Sequence, residues 1–185
     1  MKVIGLIGPI GSGKDTVSSY ISKQYGYKVI VMGDIVREIA TELGRTHTRD
    51  DLQATQKEVV AKYGIEYFAK RVVEKIKKNN WNKVVINGIR RPEDASIPKE
   101  EFGKDLIVAL VDALPEIRFQ RMKSRSRPGD PHTFEEFQRQ EENEKKHFNE
   151  EETRKYVDSI IINNDGTYGQ LHRNVDAFMK KFGLD

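Results

Sequence analysis

The stretch GPIGSGKDT (residues 8–16) follows the apolar run KVIGLI and leads into VSSYI, which reads as a strand, a glycine-rich turn and an amphipathic helix. Glycines at 8, 11 and 13 let the backbone come close to an anion, and the following helix offers unpaired N–H groups and the positive end of its dipole. The spelling is G-x-x-x-x-G-K-[ST] with one departure: Asp15 stands where a hydroxyl that holds Mg²⁺ is expected, and Thr16 comes one residue later. In this reading Gly8, Pro9, Ile10, Gly11, Ser12 and Gly13 surround a polyphosphate. Lys14 sets a cation against its β- and γ-phosphates, and Ser12 or Thr16 supplies a hydroxyl. A carboxylate at Asp15 is tolerable there if it turns aside, toward N–H groups of the first helical turn.

Working outward, 185 residues suit one domain that buries roughly 70% of its unfolded surface. Hydrophobic residues make up 37% and charged residues 33%, with no apolar run near the length of about 20 that a membrane span needs. The N-terminal apolar run is broken by glycines and Lys14 before a signal-peptide core forms, so it is expected to be a buried strand. Absence of cysteine excludes disulfides and thiolate metal sites and permits a cytoplasmic setting. A net charge of +3 does not by itself point to nucleic acid or to a membrane surface.

Short apolar runs alternate with helical patterns along the whole chain, the signature of a parallel sheet covered by helices on both faces. Strands are expected at 2–7, 28–32, 83–87, 106–112 and 159–163, and helices at 13–25, 34–43, 51–63, 65–78, 115–125, 133–148 and 168–182. Two polar insertions, 41–63 and 124–152, are placed to cover a site. The mixed charges of EEFQRQEENEKKHFNEEE also suit an ordinary solvated helix.

With a residue between Lys14 and Thr16, the loop resembles that of the nucleoside monophosphate kinases, and SGKDT is similar to the deoxynucleoside monophosphate kinases of phage type. Later segments follow in that family's order. VMGDIVR matches the G-D-x-x-R pattern, so the resemblance gives Arg37 the acceptor's phosphate and sets Asp34 near metal-bound water or the transferred phosphate; a helix cap alone would also explain Asp34. In NGIRRPED, Asn87 stands where the family has aspartate, which weakens the expected metal shell and leaves Thr16 and Asp34 as the Mg²⁺ candidates. Gly88 with Arg90 or Arg91 completes the acceptor side, and Arg90 fits better the D-G-I-R spelling of archaeal kinase-like proteins that resemble dephospho-CoA kinase.

In the helix at 115–125, Arg118, Arg121 and Arg125 share one face, and no acidic residue occurs between positions 118 and 127. By resemblance this helix opens a lid, with Arg121, Arg125 and Arg127 closing over the triphosphate and Arg118 structural. The turn NNDG, through Asn164 and Gly166, would by the same resemblance meet the donor base, although the same residues equally suit a plain polar turn. The four histidines show no close ligand spacing and are taken as structural.

The resemblance implies one P-loop kinase domain over 1–185, a three-layer α/β/α fold with a five-stranded parallel sheet. An acceptor-binding helical insertion covers about 34–78 and a small lid about 121–152. Its implied reaction moves the γ-phosphoryl of ATP, with Mg²⁺, to a small nucleotide-like acceptor, a nucleoside or deoxynucleoside monophosphate. Two alternatives stand beside it: phosphorylation of a ribose hydroxyl in the manner of dephospho-CoA kinase, and a nucleotide-dependent switch that closes on a protein or RNA partner.

Overall fold

The structure is a computed structural model that describes residues 1–126, 129–158 and 160–185, with side chains for all of these except 49 and 160–163. Strand β1 (Lys2–Ile7) leads into helix α1 (Lys14–Tyr25), and β2 (Lys28–Val31) into α2 (Met32–Glu42), α3 (Arg49–Tyr63) and α4 (Tyr67–Lys78). Strand β3 (Lys83–Ile89) is followed by α5 (Pro92–Phe102) and a 3-10 turn at Gly103–Asp105. Strand β4 (Leu106–Asp112) continues into α6 (Pro115–Arg125), α7 (Phe134–Phe148) and α8 (Glu150–Arg154), and β5 (Ile160–Asn163) into α9 (Tyr168–Lys181). These five strands form one parallel sheet in the order β2-β3-β1-β4-β5, with β1 at its centre.

Alternation along β1 decides the layers. Val3 and Ile7 face a cluster with Ile35 and Ile39 of α2, Val59 of α3 and Val72 and Ile76 of α4. Ile4 and Leu6 face the opposite cluster, with Val17 and Ile21 of α1 and Leu171, Val175 and Phe178 of α9. Each such aliphatic or aromatic side chain contributes about 1.5–3 kcal/mol when fully buried. Thr48, Thr133 and Thr167 cap α3, α7 and α9 by accepting from the N–H groups of Asp51, Glu136 and Gln170, each cap worth about 1 kcal/mol.

Three differences from the sequence reading bear on the site, and a further short helix, α8, was not expected. Helix α2 begins at Met32, with Val31 at its cap, so Asp34 lies inside the first turn and does not cap the helix. Strand β3 runs on to Ile89 through a bulge: Leu6 pairs with Asn87 and Ile7 with Ile89, leaving Gly88 as the extra residue. Helix α5 was hidden by its interior Pro98, although Pro92 at its start and Glu93 and Asp94 in its first turn are ordinary helix-opening signals. Position 159 of the last expected strand lies outside the described residues.

A third, smaller core joins the α6–α7 pair to the glycine turn. Phe119, Met122 and Phe137 pack together with Phe134 and with Ile10 of the turn. Arg118, only 4% exposed, lies beneath it: its guanidinium pairs with Glu141 of α7, sits 5.2 Å from the Phe137 ring centroid, and donates from Nε to the Ala113 carbonyl at 2.9 Å. Arg118 is therefore structural, as its position in α6 suggested. Replacing Arg118 with Met leaves the Glu141 carboxylate without its cation, so urea denaturation should show a loss of about 3 kcal/mol, most of it recovered in Arg118→Met/Glu141→Gln. Equal stabilities for the two variants would show that the pair does not act as a unit.

Candidate active site

Parallel pairing brings the C-terminal ends of β1, β2, β3, β4 and β5 to one edge, where a cleft of about 1080 Å³ opens. That volume is at the upper end for a small-molecule site and leaves room for two ligands side by side. One half is lined by the β1–α1 turn and α6, the other by the first turns of α2 and α5.

The turn is shaped by close approach. A Cβ at Gly8 would lie 2.0 Å from the Val111 carbonyl oxygen, and one at Gly13 would lie 2.1 Å from Asn164 Nδ2, so neither position admits a side chain. The turn's carbonyls are then engaged in succession. Lys14 Nζ donates to the carbonyls of Gly8 (2.6 Å) and Pro9 (2.9 Å), and Arg118 to that of Ile10 (3.5 Å). Arg121 reaches the carbonyls of Gly11 (3.3 Å), Ser12 (3.4 Å) and Asn164, while Asn164 Nδ2 donates to Ser12 at 2.8 Å. Gly13 stands at the N-cap of α1 with no side-chain cap, which leaves the helix's first N–H groups for an anion. Burial pushes the Lys14 ammonium down to about 8, with the Arg90 charge adding to the effect and Asp15 opposing it.

Asp15 does not turn to the helix backbone N–H groups, as the sequence reading supposed. Its Oδ1 accepts from Asn87 Nδ2 at 2.8 Å, and Asn87 Nδ2 also reaches Ser18 Oγ at 3.3 Å. The two departures from the loop and strand patterns are therefore bonded to each other. Ser12 Oγ and Asn87 Oδ1 are buried without a hydrogen-bond partner among the described residues.

On the other half, Arg37 lines the cleft and is held by Asp34 of the same helix turn, Nε to Oδ1 at 3.0 Å. Asp34 itself is not among the cleft-lining residues; it orients Arg37. Gly88, Arg90 and Arg91 all line the cleft, so both arginines reach it. Asp94 accepts from the backbone N–H groups of Arg90 (3.1 Å) and Arg91 (3.0 Å) and so fixes the turn that carries them; burial raises its carboxyl above the usual range. Phe148, at the end of α7, lies under both guanidinium groups, 5.1 Å from Arg90 and 5.4 Å from Arg91, and Glu144 stands 3.7 Å from Arg90. Cation–π contact and a partial counter-charge hold these cations together in the absence of a ligand.

Among the remaining candidates, Ile10, Gly11, Gly13, Lys14, Asp15, Thr16, Arg121, Arg125, Asn164 and Gly166 line the cleft, whereas Gly8, Pro9 and Ser12 lie behind it. Arg125 is bonded twice to Asp130, at 2.9 and 2.8 Å. Asn164 spends its side-chain amide on Ser12, which makes it a brace for the turn. Arg127 lies outside the described residues. His47 bonds to Thr41 and His172 stacks on Tyr20 at 3.9 Å, as structural histidines do.

No group of three or more metal-ligating His, Cys, Asp or Glu occurs among the described residues. A Mg²⁺ carried in by a polyphosphate would find oxygen ligands in the cleft lining at Thr16 and Asp15. Sequence reasoning missed Phe148, Phe68 and the Asp15–Asn87 pair. Phe148 had a legible signal, because Glu144 and Phe148 are four apart on one helix face, but the acidic run around them concealed it.

No helix among the described residues is long and apolar enough to cross a membrane. The chain is 38% identical over 139 residues to a UPF0200 protein of Hyperthermus butylicus, covering 75% of this chain and 73% of that one. Among solved structures it superposes on TT1252 from Thermus thermophilus (TM-score 0.66, 21% identity, 97% of each chain) and on shikimate kinase from Bacteroides thetaiotaomicron (0.61, 16%, 99% of each). At those identities the likeness is one of fold, a P-loop kinase-like α/β fold. A family model described as AAA domain matches residues 7–138. The chain belongs to the family of that AAA-domain model and to the UPF0200 proteins.

Proposed function

We propose that the protein transfers the γ-phosphoryl of ATP to the phosphate of a nucleoside or deoxynucleoside monophosphate. The observation that carries this reading is a single cleft with an uncapped helix N-terminus and Lys14 on one half and Arg37, Arg90 and Arg91 on the other. Three arginines facing one ligand call for a dense anion, and the guanidinium fork matches phosphate oxygens in pairs.

The carboxylates of the cleft favour a phosphate over a hydroxyl as acceptor. Only Asp15 and Asp94 line it among the described residues. Asp94 is committed to two backbone N–H groups, and Asp15 lies on the donor half, one residue after Lys14. A hydroxyl acceptor gains from a general base, whereas a phosphate oxygen is already anionic at neutral pH and needs only positioning. In the reaction, Lys14 would leave the Gly8 and Pro9 carbonyls for the β- and γ-phosphates. Arg37, Arg90 and Arg91 would hold the attacking phosphate in line, and Arg121 and Arg125 would face the charge that spreads over the transferred group. Thr16 would help to hold Mg²⁺, which would supply positive charge against that of the phosphates. Phe68, Met32 and Val36, which also line the acceptor half, offer apolar surface to a base.

Incubating the protein with ATP, Mg²⁺ and each of a panel of ribo- and deoxyribonucleoside monophosphates, with dephospho-CoA and a sugar acid as contrasts, should give ADP in step with a nucleoside diphosphate. ADP formation indifferent to any acceptor would refute kinase activity and favour the nucleotide switch. Lys14→Ala should lower kcat by about 100-fold or more, and an unchanged kcat would remove Lys14 from the donor site. Arg37→Ala should raise the acceptor KM roughly tenfold to a hundredfold while sparing the KM for ATP.

The low Lys14 value gives a pH dependence. Phosphates favour the charged amine, so binding takes up a proton once the free protein has lost it, above about pH 8. ATP affinity should therefore fall about tenfold between pH 7 and pH 9, and calorimetric titration of Lys14→Met should show no such slope.

A further inference from the structure

The loop pattern places a metal-binding hydroxyl directly after the lysine, and this chain has Asp15 there. A carboxylate beside a polyphosphate repels it by Coulomb's law unless a cation stands between them. Here the carboxylate is exposed, lines the cleft, and is held in place. Asn87 Nδ2 donates to Oδ1 at 2.8 Å, and the Ser18 hydroxyl donates to the Asp15 carbonyl at 3.1 Å. Because Ser18 has given its proton to that carbonyl, it can only accept from Asn87 at 3.3 Å. Carboxylate and hydroxyl thus both require the amide's NH₂ end, and Oδ1 of Asn87 is turned the other way. Asn87 is 2% exposed, and its Oδ1 has no partner among the described residues. The amide that orients the Asp15 carboxylate thus keeps one buried acceptor unused, which a water of a metal's outer shell would satisfy.

The other carboxylate considered for metal is engaged elsewhere. Asp34 is ion-paired with Arg37 and lies off the cleft lining. We propose that Asp15, oriented by Asn87, is the carboxylate that holds Mg²⁺ on the donor nucleotide, with Thr16 beside it. Asp15 is the ligand-side group and Asn87 a positioning residue. This rests on the proposed donor site, and it extends that site by giving the metal a protein carboxylate on α1.

The sign of the effect separates this role from a structural one. Without metal, Asp15 opposes the nucleotide; with metal, it favours it. The test is Mn²⁺ binding followed by electron paramagnetic resonance in the presence of saturating ADP, together with calorimetric binding of ADP in EDTA. Asp15→Asn should weaken Mn²⁺ in the ternary complex by about tenfold or more, and ADP in EDTA should bind it as well as or better than the wild type. Asn87→Ala should weaken Mn²⁺ less and leave ADP in EDTA unchanged. The exchange Asp15→Asn/Asn87→Asp returns one carboxylate and one amide to the pair and should recover part of the Mn²⁺ affinity, whether or not either single variant is less stable.

Mn²⁺ affinity within twofold of wild type in Asp15→Asn, or Mn²⁺ and metal-free ADP affinities falling together, would overturn the proposal and leave the donor site standing. Failure of the wild-type protein to bind ADP at all would overturn the donor site and this proposal with it.

Discussion

From Gly8 to Ser12 each backbone carbonyl of the turn after β1 accepts from a side chain: Lys14 takes Gly8 and Pro9, Arg118 takes Ile10, and Arg121 takes Gly11 and Ser12, the last shared with Asn164. Those donors come from α1, from α6 and from the end of β5, so the turn is where three parts of the fold are tied together. Gly8, whose backbone presses on Val111 of β4, makes the approach possible. Engaging the carbonyls leaves the N–H groups at the start of α1 as the ready donors of the cleft. Lys14 and Arg121, which help to hold the turn, are also the cations a polyphosphate would compete for, so the structure keeps their positive charge in place at the cost of a partly desolvated lysine.

Helix α7 connects the two halves of the cleft. Its fifteen residues span roughly 22 Å. Near its start Phe137 joins the small core that includes Ile10 of the turn, and at its end Phe148 lies under Arg90 and Arg91. A ligand that draws either arginine away from Phe148 therefore acts on the helix that also braces the donor turn. The acidic face of α7 has the same logic, since Glu141 balances buried Arg118 and Glu144 stands by Arg90.

Strands, their parallel pairing and the glycine turn were legible because each rests on local signals: apolar runs bounded by turn residues, and a motif in its strand–turn–helix context. What escaped depended on juxtaposition. Asp15 and Asn87 are 72 residues apart, and only the register that sets Leu6 opposite Asn87 brings the end of β3 beside the first turn of α1. Asp34 was placed in the site because of its spacing from Arg37, and the structure uses that spacing for an ion pair along one helix face. Helix α5 was lost to Pro98, a residue that local propensity counts as a breaker and that tertiary packing here accommodates at a buried position. The choice between Arg90 and Arg91 depended on the turn after β3, where the bulge at Gly88 and the Asp94 anchor bring both arginines to the cleft lining.

Under the proposed function the lysine turn and the arginine cluster are two halves of one site, occupied together. A dinucleoside pentaphosphate, which carries a donor and an acceptor nucleoside on one chain, tests it directly by calorimetry. One ligand should bind per protein chain, displacing both ATP and nucleoside monophosphate, and binding should be weaker in Lys14→Ala and in Arg37→Ala alike. Displacement of ATP alone, with an affinity untouched by Arg37→Ala, would contradict it.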